Sequence, residues 1–168
     1  LKLIHPSKYI VLKMAPLYSS LESTNSVCRM AILPLNTQFK GPAPTGSGAA
    51  DVIDDAINFF RINIFHKQYD ARNTTDRVII YLMLYITECL KRATKCANKT
   101  DVTKELTSLA INKFNIPGDA SFPLNSLYSK PSTKVEAGTL DSFVFRSMYF
   151  IPSTVETRMQ FAHIPKNN

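Results

Sequence analysis

The sequence predicts an all-α protein, with a central buried helix surrounded by other helices and with extended Pro-containing arms. Three observations carry this reading. Residues 78–86 are all apolar or Tyr, and Cys89 and Leu90 prolong the run. A helix that is apolar all round has to be enclosed by other elements. Two further stretches, 51–67 and 101–114, repeat apolar residues at helical spacing. Between and beside them lie segments punctuated by Pro34, Pro42 and Pro44, and by Pro123 and Pro131. Proline removes a backbone donor and drives the preceding residue to an extended shape, so these segments read as arms.

The central helix spans 76–95. Thr74, Thr75 and Asp76 suit its start, and Lys91, Arg92 and Lys95 complement the dipole at its end. Its apolar run is too short for a bilayer, which needs about 20 such residues. The first helix, 51–67, is capped by Asp51, carries Asp54 and Asp55 in its first turn, and aligns Ile53, Ile57, Phe60 and Ile64 on one face. Val52, Ala56 and Phe59 widen that stripe, and Arg61, His66 and Lys67 follow in later turns. Burying a residue such as Phe60 is worth about 1.5–3 kcal/mol. The third helix, 101–114, aligns Val102, Leu106, Leu109 and Lys113, with Thr100 or Asp101 as cap, and Ile116-Pro117-Gly118 stops the chain beyond it.

The first arm, 30–44, is anchored by Ala31, Ile32, Leu33 and Leu35, and a TGSGAA linker follows at 45–50. The second, 121–131, is anchored by Phe122, Leu124, Leu127 and Tyr128. Apolar anchors on an arm have to lie in a groove, on the same domain or on a partner. Residues 132–138 read as a polar loop. Residues 140–151 read as either a strand or a short helix ended by Pro152, and 158–168 as a frayed end.

One domain of ordinary composition is expected over 14–137, with 1–13 as a non-domain extension ahead of Met14 and 138–168 as a divergent tail. The net charge of +7 raises a nucleic-acid reading. Residues 14–137 hold 14 basic and 11 acidic side chains, so the body is only mildly basic, and 1–13 add three lysines and no acid. The cluster Lys91, Arg92, Lys95 and Lys99 reads as a solvated helix end. Cys28, Cys89 and Cys96 form no CxxC spacing and fit a reduced, intracellular setting.

The chemistry expected of this chain is slight. His5, His66 and His163 are isolated, and Asp54 and Asp55 point to different helix faces. The segment GPAPTGSG lacks the Lys-Ser/Thr of a phosphate loop. Asn73 and Asn98 begin glycosylation sequons but sit where helix caps belong. The aromatic residues fall at core or interface spacings rather than forming a base-stacking platform. No cofactor, metal or catalytic group is expected. From the residues alone the chain is a helical interaction subunit, with a basic helical nucleic-acid-binding or adaptor protein as the alternative.

Several segments, in order, resemble one family. They are Met14-Ala15-Pro16 and Tyr18-Ser19-Ser20-Leu21, Met30-Ala31-Ile32-Leu33-Pro34, and Gln38-Phe39-Lys40-Gly41-Pro42-Ala43-Pro44. Residues 51–69 and 80–91 follow, then Asn115-Ile116-Pro117-Gly118, Phe122-Pro123-Leu124-Asn125 and Tyr128-Ser129-Lys130-Pro131. Over about 14–137 the chain resembles subunit 3, the 21-kDa subunit, of the actin-related protein 2/3 complex. The resemblance implies a non-enzymatic, mainly helical subunit in the cytoplasm and actin cytoskeleton, associated with actin-related protein 3 and its neighbours in a complex that binds the side of an actin filament and nucleates a branch. It implies no nucleic acid, membrane insertion or small-molecule substrate. Phe39, Lys40, Pro42, Pro44, Phe122, Leu124, Tyr128 and Lys130, on the arms, are the expected contact residues. Family members continue into a long amphipathic helix and a basic segment with paired tryptophans; this chain has no Trp. The expectation is therefore that the late helix over the core is missing or replaced, and that stability suffers.

Overall fold

Four helices, one 3-10 turn and a two-stranded hairpin make up the computed structural model, which describes residues 19–37, 40–46, 48, 50–63, 69–112 and 114–158 (backbone only for 153–158). The elements run β1 (Ser26–Val27), β2 (Met30–Ala31), α1 (Val52–Asn63), α2 (Thr74–Ala93), α3 (Lys99–Ile111), a 3-10 turn (Asn125–Leu127) and α4 (Lys134–Arg158).

Helix α2 is the centre. Val78 to Met83, Tyr85, Ile86 and Cys89 are all buried, and α1, β2, α3 and α4 each pack against α2. Its start lies just ahead of the expected one: Asn73 is the cap, its Oδ1 accepting the Asp76 N–H at 2.7 Å. Asp76 Oδ2 in turn accepts the Arg72 N–H at 3.0 Å, so the entry is closed from both sides. Helix α1 follows the expected pattern. Asp51 Oδ1 accepts the Ile53 N–H at 2.9 Å, Asp54 Oδ2 accepts the Asp51 N–H at 3.0 Å, and Ile53, Ile57 and Phe60 are buried. Ile64, His66 and Lys67 lie outside the described residues, as do His5, His163 and Lys113. Helix α3 begins two residues earlier than expected because Asn98, not Thr100 or Asp101, caps it, accepting the Asp101 N–H at 2.9 Å. Both sequon asparagines are thus N-caps.

The fold is mostly helical rather than strictly all-α. Ser26 pairs with Ala31 and Val27 with Met30, antiparallel, and Cys28 and Arg29 turn the chain at φ of 52° and 67°. Such a turn favours Asn-Gly, and neither residue is present, which is why the sequence carries no hairpin signal here. Leu35 forms an isolated bridge with Thr45, closing the loop between them.

The largest correction lies at the C-terminal end. Residues 134–138 are the first turn of α4, not a loop, and 140–151 are helical. Thr133 Oγ1 accepts the Glu136 N–H at 3.1 Å, while Glu136 Oε2 accepts the Ser132 N–H at 2.7 Å, a capping box displaced by one residue at its return bond. Leu140, Phe143, Val144, Met148 and Ile151 are buried in the common core, so a late helix does cover α2. The expected boundary between 137 and 138 falls inside this helix. Pro152 does not end it; the helix continues to Arg158. A proline inside a helix removes one hydrogen bond; here it does so at a point where Ile151 and Pro152 are buried.

Candidate functional site

The residues expected to make contacts divide into two groups. Lys40, Pro42, Pro44 and Lys130 are exposed, and Leu124 is half-buried. Phe122 and Tyr128 are buried and belong to the core, while Phe39 lies outside the described residues. The physical reason is an aromatic cluster on α2. Tyr81 stacks on Phe122 at 5.8 Å, Phe122 meets Tyr128 edge-on at 5.3 Å, and Phe114 meets Tyr85 edge-on at 5.3 Å. Tyr128 Oη donates to the Arg77 carbonyl at 2.8 Å and Tyr81 Oη to the Asn115 carbonyl at 3.0 Å. Burial pushes both phenols above their ordinary range. Arg77 Nε donates back to the Leu127 carbonyl at 2.8 Å, so residues 114–128 are fastened along α2 by side chains of both segments. Gly118, at φ of 103°, makes the turn that starts this segment, and its N–H donates to Asn125 Oδ1 at 2.8 Å.

The first segment is fastened elsewhere. Its hairpin turn is held on both sides: the Cys28 N–H donates to Glu136 Oε1 at 3.3 Å, and the Cys28 carbonyl accepts the Ser129 N–H at 3.3 Å. Two Ser132 hydrogen bonds, with the Cys28 amide added, hold the Glu136 carboxyl down to about 2. Burial and the facing Glu136 charge push the Cys28 thiol up to about 11. Further along, the Ala43 carbonyl accepts Arg146 Nη1 at 2.8 Å, while Lys40, Pro42 and Pro44 are exposed. Hairpin and second segment therefore meet at Cys28 and Ser129, with α4 beneath the first segment.

Sequence reasoning missed Glu136 and Arg146. The signal for Glu136 was present, since Thr133-Lys134-Val135-Glu136 has the spacing of a capping box. No signal marked Arg146, whose role depends on a residue 103 positions away. An apolar face was missed as well. Phe145, Tyr149 and Ile111 are exposed, and Ile111 and Phe145 border a cavity of about 510 Å³ between α3 and α4.

The basic cluster at the end of α2 is partly neutralised. Arg92 lies 2.9 Å from Glu105 and 3.4 Å from Glu88, and Lys91 lies 3.8 Å from Glu88. Asp54 and Asp55 serve local structure: Asp54 closes the α1 cap and Asp55 Oδ2 accepts the Ser19 hydroxyl at 2.7 Å. Among the described residues, no three His, Cys, Asp or Glu side chains gather as a metal site, and no helix is long and apolar enough to cross a membrane.

The described residues make a mostly helical protein built on a buried central helix, with many of its polar side chains engaged in caps and cross-ties. Comparison with known families places this chain. The family described as P21-Arc, the ARP2/3 complex ARPC3 (21 kDa) subunit, matches residues 14–155, and the chain belongs to it. The match runs through most of α4. Actin-related protein 2/3 complex subunit 3 of Dictyostelium discoideum is 42% identical over 118 residues, covering 70% of this chain and 67% of the relative. The probable subunit 3 of Caenorhabditis elegans is 40% identical over 116 residues, covering 68% of this chain and 63% of the relative. That of Schizosaccharomyces pombe is 38% identical over 128 residues, covering 76% and 73%. The chain thus spans roughly two thirds of the length of these relatives, and slightly less for the nematode protein.

Proposed function

We propose that this chain is a non-enzymatic structural subunit of the actin-related protein 2/3 complex and supports nucleation of branched actin filaments. The observation that carries the reading is the family match over residues 14–155, which takes in all four helices up to residue 155 of α4. In this role it associates with actin-related protein 3 and the other subunits, in the cytoplasm and in the actin networks of cell projections. The filament is engaged by the complex as a whole. The exposed residues Lys40, Pro42, Pro44 and Lys130 supply contacts, whereas Phe122 and Tyr128 act from within by holding the second segment against α2.

The ion pairs of Arg92 and Lys91 weigh against the nucleic-acid alternative, because paired cations are less available to phosphates. The test is reconstitution. The purified chain is mixed with a complex lacking its own subunit 3, and co-elution and filament branching are measured. Stoichiometric incorporation with restored branching is the expected result. Folded, soluble chain that never co-elutes would refute the proposal.

A further inference from the structure

We infer that Arg146 is the positioning residue that holds residues 40–44 in the form a partner subunit recognises, an inference that rests on the subunit reading above. Arg146 sits on α4 and is only 4% exposed. Among the described residues no carboxylate lies in salt-bridge range of it. Among the described residues its Nε has no hydrogen-bond partner, and Nη1 donates at 2.8 Å to the carbonyl of Ala43, itself buried. A buried cation is costly where, as here among the described residues, no counter-charge lies in range, so an arginine beneath this segment points to a role that an apolar side chain of similar size would not fill.

Three features make that role positional. First, the bond joins α4 to the middle of the 40–44 segment, between the outward-facing Pro42 and Pro44. Second, the segment approaches so closely that a Cβ at Gly41 would lie 3.1 Å from both Cδ and Nη1 of Arg146. The side chain therefore supports the segment from beneath at Gly41 and ties it at Ala43. Third, the loop that carries the segment is closed at its base by backbone bonds: the Leu35 N–H donates to the Pro44 carbonyl at 3.1 Å and the Gly46 N–H to the Leu35 carbonyl at 2.9 Å. These bonds close the base of the loop. The tie from Arg146 at Ala43, next to Pro44, holds the loop on α4 and so keeps them closed.

The experiment uses the full chain with Arg146→Met, Arg146→Lys and Gly41→Ala, each checked for wild-type helicity by circular dichroism. Amide hydrogen exchange is read at Leu35 and Gly46, with α2 amides as the internal reference. Incorporation into the complex lacking subunit 3 is titrated in parallel. A charge-assisted hydrogen bond holds a local opening closed by about 10–100-fold. Arg146→Met is therefore expected to speed exchange at Leu35 and Gly46 by about tenfold or more with α2 unchanged, and to weaken incorporation at least tenfold. Arg146→Lys, which keeps one donor, is expected to restore part of both. Gly41→Ala, which leaves the guanidinium in place, is expected to move both in the same direction as Arg146→Met, and it carries the test if Arg146→Met does not fold. Unchanged exchange in the folded variants overturns the inference, as does faster exchange with undiminished incorporation. Failure of the wild-type chain to incorporate is a separate result and refutes the subunit reading instead.

Discussion

Replacing Phe143 by Ala, with Phe145→Ala as its companion, tests how α4 is built. On a strand the two residues share a face, and either both are buried or both are exposed. On a helix they point about 200° apart. Phe143 is 1% exposed and lies in the common core with Leu140, Val144, Met148 and Ile151, whereas Phe145 is 51% exposed. Truncating a buried Phe to Ala costs about 3–5 kcal/mol through lost transfer energy and the cavity left behind. For a chain of this length that lowers the melting temperature by roughly 6–20 °C. The half-exposed Phe145 has less to lose, about 1 kcal/mol or less. With no Trp in the chain, far-UV circular dichroism during urea and thermal unfolding is the suitable probe. Equal losses for the two variants, or a wild-type midpoint for Phe143→Ala, would show that α4 does not cover the core in the way described.

Other expectations follow from the caps and ties. Asn73→Ala removes the bond to the Asp76 N–H and is expected to lower stability by about 1 kcal/mol, while Asn73→Asp keeps an acceptor and stays near wild type in urea titrations. Glu136 has a folded-state pKa below its unfolded value, so its contribution is present above the unfolded pKa and disappears as pH falls toward about 2. Between about pH 5 and pH 2 the wild type should therefore lose stability more steeply than Glu136→Gln, as read from melting temperatures. In thiol labelling of the native protein, Cys96, which is half-buried, should react first. Cys28 and Cys89, buried and with thiols pushed up to about 11 and 12, should react only on unfolding.

Local and periodic features were readable in the sequence. The three helices α1 to α3 follow from apolar spacing and cap residues, and the enclosure of α2 follows from a run with no polar face. The inward turn of Phe122 and Tyr128 was only half legible. Their apolar character demanded a groove, but nothing in the sequence said that the groove was the flank of α2 itself. Helix α4 was obscured for two reasons. Phe143, Val144 and Phe145 are adjacent, so strand and helix periods both fit. Pro152 also reads as a terminator unless the burial around it is known. The hairpin carried no local signal because Cys28 and Arg29 take left-handed conformations that neither residue favours, and the ties from Glu136 and Ser129 hold them there.

The two ties from α4 also order events during synthesis. Glu136 reaches Cys28 across 108 positions, and Arg146 reaches Ala43 across 103. Helices α1 and α2 are near neighbours in sequence and are free to pair as soon as both have emerged, since short loops close at low entropic cost. The hairpin and the 40–44 segment are made before α1, α2 and α3, yet their seats are supplied by α4, which follows all three. Until α4 emerges, these earlier residues wait without their final contacts. The surface proposed to meet a partner is therefore completed only once α4 has been made, so chains that stop short of it lack the ties that would shape that surface.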